Sequence, residues 1–165
     1  ESITNLYASK TGAYTFTLPL VLGYVATVHT IDFSITLLLE CIGQSLGIIM
    51  QGLDDEAGFK NKANSYHELA TDLENHQPSL WLALMLPLLS HQEKVLLEKI
   101  WWGGMVTRDE TNYVKQLYEK YQIHQKAQDI YRTEARLAHE LINELDLEPK
   151  YVKIWHGLVQ NTLNP

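Results

Sequence analysis

Two adjacent carboxylates, Asp54 and Asp55, close an otherwise apolar stretch of the chain, and Gln51 precedes them. At positions i, i+3 and i+4 of a helix, the amide and the two acids share one face. Two like charges at the C-terminal end of a helix repel each other and the negative end of the helix dipole. Solvation relieves this repulsion, and so does a cation such as Mg²⁺, which binds one or two carboxylates together with water and phosphate oxygens. The residues alone leave a solvated helix end and a magnesium site as alternatives.

The elements that must position these acids are predicted to be helices. Apolar residues recur at a spacing of three to four over residues 2–28, which predicts a helix that Pro19 kinks or divides. Residues 32–58 are too densely apolar for a surface helix, so this helix is predicted to be buried nearly all round. Within it, Gly43 and Gly47 allow another backbone to approach closely.

Turn and cap residues divide the rest of the chain into shorter helices. Ser90 and Thr107 are predicted N-caps, the latter in a capping box with Glu110. The predicted segments are a polar turn over 59–65, helices over 66–76, 79–89, 91–102 and 108–123, a long helix to about 145 and a terminal helix from 149. No stretch has the alternation of a strand, so the predicted fold is all-α.

Composition excludes several classes of function. The net charge is −7 and Lys and Arg are not clustered, which excludes a nucleic-acid-binding surface. Cys41 is the single cysteine, so neither an internal disulfide nor a thiolate metal cage is possible. The apolar residues 16–28 contain Pro19 and Gly23, are too short to span a bilayer and follow no signal-peptide segment. We expect a cytoplasmic protein without a membrane span.

A larger pattern surrounds the paired acids. Lys10-Thr11 stands in the first predicted helix, GQSLGIIMQGLDD ends the second, and Asp72 follows Asp55 by seventeen residues. This order resembles the second half of the trans-isoprenyl diphosphate synthases, the polyprenyl synthetase family. That family has a Lys-Thr pair, then Phe-Gln before an aspartate-rich DDxxD, a Gly-Lys, and a later Thr-Asp before a lysine-containing turn. The resemblance covers essentially all of residues 1–165.

The resemblance implies a fold, a cofactor and a set of site residues. The fold would be the C-terminal part of an isoprenoid-synthase helical bundle, in which two aspartate-rich motifs hold Mg²⁺ on an allylic diphosphate. That diphosphate ionises before an acceptor double bond attacks. In this chain the matching residues would be Asp54 and Asp55 as metal ligands, Asp72 as an acid that orients them, and Lys10, Thr11 and Gln51 as substrate contacts.

Three positions depart from the family pattern. Gly58 stands where the third acid of DDxxD is expected, Glu68 replaces the lysine of Gly-Lys, and Gln77 replaces the later lysine. The site is therefore about two charges more negative than the family's. Unfavourable interactions of this kind near a diphosphate amount to several kcal/mol, on the order of 4 kcal/mol for one pair at 4 Å, at an effective dielectric of about 20. Efficient chain elongation of the ordinary kind is therefore not expected.

Several functions of the parent protein are consistent with this pattern. The first is Mg²⁺-dependent prenyl transfer from an allylic diphosphate to isopentenyl diphosphate or to a peptide. The lost lysines favour a specialised member, similar to the bacterial enzymes that prenylate a tryptophan of a pheromone peptide. The alternatives are a non-catalytic or regulatory subunit of a heteromeric synthase, and a helical domain whose resemblance is ancestral only.

The chain begins at Glu1, without a methionine and inside a helical pattern, which predicts a fragment. The first DDxxD motif would belong to the missing N-terminal half, so the 165 residues are expected to be inactive alone. The family habit predicts a homodimer or a heteromer. Half a helical bundle would also leave apolar faces open to water.

Three histidines and the tryptophan pair have no predicted chemical role, whereas His67 and His76 flank the predicted site either as solvent-exposed residues or as contacts to phosphate. His124, His139 and His156 show no spacing that closes a metal site. Trp101 and Trp102 are predicted to pack a helix end against the core.

Overall fold

The computed structural model describes residues 2–59 and 65–163, apart from the side chains of 65 and 66. These residues form two compact units, the first from Glu1–Gln51 and Asp129–Pro165 and the second from Gly52–Gln128. In chain order the helices are α1 (Ile3–Tyr7), a π segment (Ala8–Thr17), α2 (Leu18–Val25), α3 (Phe33–Asp55), a first 3₁₀ turn (Ala57–Phe59), α4 (Ser65–Glu74), α5 (Leu80–Met85), a second 3₁₀ turn (Leu86–Leu88), α6 (His91–Trp102), α7 (Arg108–Lys120), α8 (Ile123–Glu144) and α9 (Pro149–Leu163). No strand occurs in the described part of the chain, which confirms the all-α class.

The predicted helix over 2–28 is present in the first unit, but its middle is wound more widely than an α-helix. α1, the π segment and α2 follow one another directly, and Leu18 N–H donates to Ala13 O, five residues back. Pro19 stands just after the π segment, where it donates no N–H and its ring crowds the carbonyl four residues earlier. Pro19 therefore marks a change of helical winding. π turns are rare in proteins, and those that occur are often found at functional sites.

The π segment packs directly on α3 through glycines. A Cβ on Gly12 would lie 3.0 Å from Gln44 Cα, and a Cβ on Gly47 would overlap the N and Cα atoms of Gly12. Gly43 is covered as tightly, since a Cβ there would lie 2.6 Å from Thr17 N. The distances at Gly43 and Gly47 are shorter than real Cβ contacts, so side chains larger than hydrogen are excluded at these two positions. The prediction that Gly43 and Gly47 admit another backbone is confirmed.

The prediction that residues 32–58 are buried nearly all round is correct for the middle of α3 and wrong for its first turns. Ile42, Leu46 and Ile49 are each 0% exposed. Phe33 is 80% exposed and Leu37 is 60% exposed. Apolar density in a sequence indicates that cover is needed, but it does not indicate which turns of a helix receive it.

One segment among the described helices, Phe33–Phe59, is long and apolar enough to cross a membrane, with a mean hydropathy of 1.7. This criterion considers only length and composition, and the core helices of soluble proteins meet it as well. The middle of α3 is buried within the protein. The absence of a membrane span stays a prediction.

The second unit is built around a core to which α4, α5, α6 and α7 all contribute. Its buried side chains include Leu69, Leu73, Trp81, Met85, Leu97, Ile100, Val114 and Leu117. Phe59 lies edge-on to Trp81, with ring centroids 5.1 Å apart, and stacks on Tyr118 at 3.9 Å. Aromatic packing therefore ties the first 3₁₀ turn to this core.

The predicted N-caps of α6 and α7 are confirmed. The Ser90 side chain accepts from Glu93 N–H and the Thr107 side chain accepts from Glu110 N–H, each within a complete capping box. Such caps are local, because a hydroxyl and a carboxylate three residues apart satisfy each other's backbone donors.

Several predicted helix boundaries are wrong by a few residues: α2 ends at Val25 and not at 28, and α3 ends at Asp55 and not at 58. α7 ends at Lys120 and not at 123, because Gln122 adopts a φ of 53° and the chain turns into α8. The predicted helix over 79–89 shortens to α5 and the second 3₁₀ turn, which contains Pro87. α4 ends at Glu74, two residues earlier than predicted. Most of the predicted turn over 59–65 lies outside the described residues.

Candidate functional site

The paired acids lie where α3 ends, and the chain that follows packs closely against α4. Asp54 is exposed and Asp55 is half-buried. The first 3₁₀ turn begins two residues after Asp55, and its Gly58 is buried against Leu69 of α4. A Cβ on Gly58 would lie 2.9 Å from both the Cβ and the N of Leu69. This contact holds the acidic end of α3 next to α4.

The same contact gives a physical reason for the missing third acid. Position 58 is where DDxxD would carry its last aspartate, and any side chain there would meet the Leu69 backbone. With glycine at this position, the backbone of the first 3₁₀ turn can pack directly against the backbone of α4. In this packing the turn cannot supply a third carboxylate to a metal.

Asp72, on α4, joins the paired acids in one acidic group. The pKa of its carboxyl is raised to about 6, chiefly by burial and then by repulsion from Asp55, Asp54 and Glu68. We call these four residues the acidic cluster. The predicted association of Asp72 with the paired acids is therefore consistent with the geometry.

The two positions that lack the expected lysines are both exposed. Glu68 lies in the first turn of α4, and Gln77 follows that helix, with its N–H donating to Asp72 O at 2.9 Å. Neither side chain supplies a positive charge to the acidic cluster. Lys60 and Lys62, which belong to the predicted turn, lie outside the described residues.

In the first unit, the structure joins two of the predicted substrate contacts. Thr11 Oγ1 donates to Gln51 Oε1 at 2.6 Å, and both residues are partly buried. Lys10 is exposed beside Thr11 on the π segment. The hydrogen bond orients the Gln51 amide across a sequence separation of forty residues. Contact of these residues with a diphosphate stays a prediction.

A buried carboxylate that the sequence analysis did not single out directly follows the paired acids. Glu56 is 3% exposed and accepts a hydrogen bond from Tyr118 Oη–H, while His124 Nδ1 lies 3.4 Å from the same carboxylate oxygen. Burial and the Glu56 carboxylate raise the pKa of the Tyr118 phenol. No local signal marks this pair, because Tyr118 lies 62 residues further along the chain.

The structure also pairs two histidines for which no role was predicted. His139 of α8 and His156 of α9 approach within 2.6 Å through their Nδ1 atoms. The spacing of seventeen residues crosses the turn between two helices, so helical periodicity could not connect them.

The tryptophan pair is only half as predicted. Trp101 packs against the core of the second unit, but Trp102 is 69% exposed. Both line an apolar cavity of about 320 Å³ together with Leu82, Leu86 and Leu97. His76 stacks near Trp102, with ring centroids 4.8 Å apart. The expectation that Trp102 is covered by the core is therefore wrong.

Within residues 2–59 and 65–163, no group of three or more His, Cys, Asp and Glu side chains is arranged to hold a metal ion. Binding of Mg²⁺ by the acidic cluster stays a prediction. The donors of the acidic cluster are carboxylate oxygens, which Mg²⁺ prefers.

No protein-family model matches the chain, and no curated protein matches it. The side chains of the two units are therefore the basis for assigning a function.

Proposed function

We propose that this chain forms part of a Mg²⁺-dependent protein of the isoprenoid-synthase type, whose parent transfers a prenyl group from an allylic diphosphate. The supporting observation is the close contact between Gly58 and Leu69, which gathers Asp54, Asp55 and Asp72 at one end of the second unit. A cation bound by these carboxylates would relieve their mutual repulsion.

The residues would share the work as follows. Asp54 and Asp55 would hold the Mg²⁺ ion, and Asp72 would orient them. Bound Mg²⁺ would neutralise the negative charge that develops on the departing diphosphate. Phosphate oxygens would complete the coordination that the two acids begin.

The resemblance also implies diphosphate contacts for Lys10, Thr11 and Gln51, which the structure describes within the first unit. Thr11 donates to the amide oxygen of Gln51 and so orients that amide, whose NH₂ group is the half able to donate to a phosphate oxygen. Lys10 is exposed on the same π segment and would add a positive charge. The acceptor would be isopentenyl diphosphate or a peptide, and the departures at 68 and 77 favour a specialised acceptor such as a peptide tryptophan.

A second candidate is a non-catalytic or regulatory subunit of a heteromeric prenyl diphosphate synthase. The observation that favours it is the buried position of Gly58, which excludes the third carboxylate of DDxxD from the first 3₁₀ turn. A subunit of this kind would bind diphosphate and stabilise an active partner without turnover of its own.

The test is a binding and turnover measurement on the full-length parent protein with Mg²⁺ and geranyl or farnesyl diphosphate. We expect binding that requires Mg²⁺, with affinity lost in Asp54→Ala and Asp55→Ala and retained in the exposed control Asp146→Ala. Prenyl transfer supports the enzyme, and Mg²⁺-dependent binding without transfer to any acceptor supports the subunit. Unchanged affinity and turnover in both aspartate variants would refute the metal assignment. Mass spectrometry of a candidate peptide tests the tryptophan acceptor.

A further inference from the structure

Two imidazole rings face each other in the first unit, on neighbouring helices. The Nδ1 atoms of His139 and His156 are 2.6 Å apart, and the ring centroids are 4.7 Å apart. Because both nitrogens point at each other, one must donate a proton and the other must accept it. The contact is therefore one hydrogen bond, with one Nδ1 atom as the donor and the other as the acceptor.

Asn143 determines which ring accepts. It lies four residues after His139 on α8, and its Oδ1 is 3.1 Å from Nε2 of His156. An amide oxygen only accepts, so the His156 Nε2 atom carries a proton and its Nδ1 atom presents a lone pair towards His139. A metal-binding histidine is commonly held in this way, with its second nitrogen donating to an oxygen acceptor.

The surroundings of His139 also favour the protonation state that a metal requires. Burial lowers the pKa of His139, and the proximity of His156 lowers it further. Neutral imidazole is the metal-binding form. Both rings are half-buried, so an ion between them remains accessible to water.

We propose that His139 and His156 form a binding site for a divalent transition metal of the Zn²⁺ or Cu²⁺ type, coordinated through both Nδ1 atoms. Metal–nitrogen bonds of about 2.0–2.1 Å in a tetrahedral site place the nitrogens about 3.3 Å apart, so the rings need to separate by less than about 1 Å. The proton on His139 Nδ1 leaves to Nε2 or to solvent, and water completes the coordination. The bound ion joins α8 to α9.

This site is independent of the proposed Mg²⁺ site. It uses nitrogen donors, which select Zn²⁺ and Cu²⁺, whereas the acidic cluster offers the oxygens that Mg²⁺ prefers. With only two protein ligands among the described residues, its affinity is expected to be lower than that of a four-ligand structural zinc site.

The experiment is a titration of the whole chain with Zn²⁺ alone. Calorimetry measures the affinity and the number of ions bound, and thermal unfolding measures the midpoint. The background carries Asp54→Asn and Asp55→Asn, so that Zn²⁺ bound by those acids does not contribute. We expect one ion per chain and a raised midpoint, with affinity reduced at least about tenfold in His139→Ala and in His156→Ala. His91→Ala, an exposed histidine at the start of α6, is the matched control and keeps the wild-type affinity.

Two further measurements remain informative if an alanine variant folds poorly. Asn143→Ala keeps both histidines and is expected to lower the affinity by about 10–100-fold. Nitrogen NMR of the imidazole rings should show Zn²⁺ shifting the Nδ1 resonances of both rings and not the Nε2 resonances. Affinity unchanged in His139→Ala, coordination through Nε2, or the absence of any Zn²⁺ effect on these rings would each overturn the proposal.

Discussion

Replacing Asp72 by asparagine tests the repulsion within the acidic cluster. The carboxyl has a pKa of about 6, raised from the ordinary value of 3.8, chiefly by burial and then by Asp55 and Asp54. The folded protein therefore keeps a proton that the unfolded chain has lost, and its stability falls as the pH rises from about 4 to about 6. Above pH 6 the whole penalty is present, so Asp72→Asn should stabilise the protein at pH 7.5.

The size of this gain follows from the shift. About two pH units correspond to roughly 3 kcal/mol at 1.36 kcal/mol per unit, and the half-exposed position of the carboxyl reduces this to about 1 kcal/mol. For a chain of this length, that is a rise of about 2–4 °C in the thermal midpoint. Most of the gain should disappear by pH 4, because both states of the wild-type carboxyl then hold the proton.

The assay is urea denaturation followed by circular dichroism at pH 7.5, 6, 5 and 4. Asp146→Asn serves as the control, because it removes an exposed carboxylate in the turn between α8 and α9. Its effect should be small and nearly independent of pH. The reasoning is refuted if Asp72→Asn destabilises the protein at pH 7.5, or if its gain is as large at pH 4 as at pH 7.5.

Four other substitutions test the packing and the caps. Gly47→Ala forces a Cβ into the π segment and should cost about 1–3 kcal/mol in urea denaturation, whereas Gly157→Ala, with open space around it in α9, should gain up to about 1 kcal/mol. Gly58→Asp restores the acid of the family motif but meets the α4 backbone, so calorimetry should show lower stability and no tighter Mg²⁺ binding. Glu93 has a pKa of about 2, because Lys120 and then Ser90 donate hydrogen bonds to it; Glu93→Gln should lower the thermal midpoint at pH 7, and the loss should shrink as the pH falls from about 4.5 towards 2. These predictions are contradicted if Gly47→Ala and Gly157→Ala have equal urea midpoints, or if Gly58→Asp binds Mg²⁺ more tightly. They are also contradicted if the loss of thermal midpoint in Glu93→Gln does not change with pH.

The parts of the fold that local chemistry determines could be predicted from the sequence. The N-cap Ser90 and the capping box of Thr107 with Glu110 were predicted to the residue, because each cap uses groups only three positions apart. The close approach at Gly43 and Gly47 was also predicted, since small residues on an apolar helix leave room for a backbone.

What depends on distant neighbours could not be predicted. The π winding follows from packing on the α3 glycines together with Pro19, and periodicity alone predicts an ordinary helix. The exposed start of α3 depends on which turns are covered. Likewise, the Glu56–Tyr118 contact and the His139–His156 contact join residues that no helical repeat relates.

The central claim is that the acids at the end of α3 hold a cation and, through it, a diphosphate. Its most direct test is calorimetry of inorganic diphosphate binding to the whole chain at pH 7.5, with and without Mg²⁺, in the wild type, in Asp54→Asn/Asp55→Asn and in Asp146→Asn. The account predicts binding that requires Mg²⁺, falls at least about tenfold in the double variant and is unchanged in the control. Equal binding by the wild type and the double variant in the presence of Mg²⁺ would contradict it.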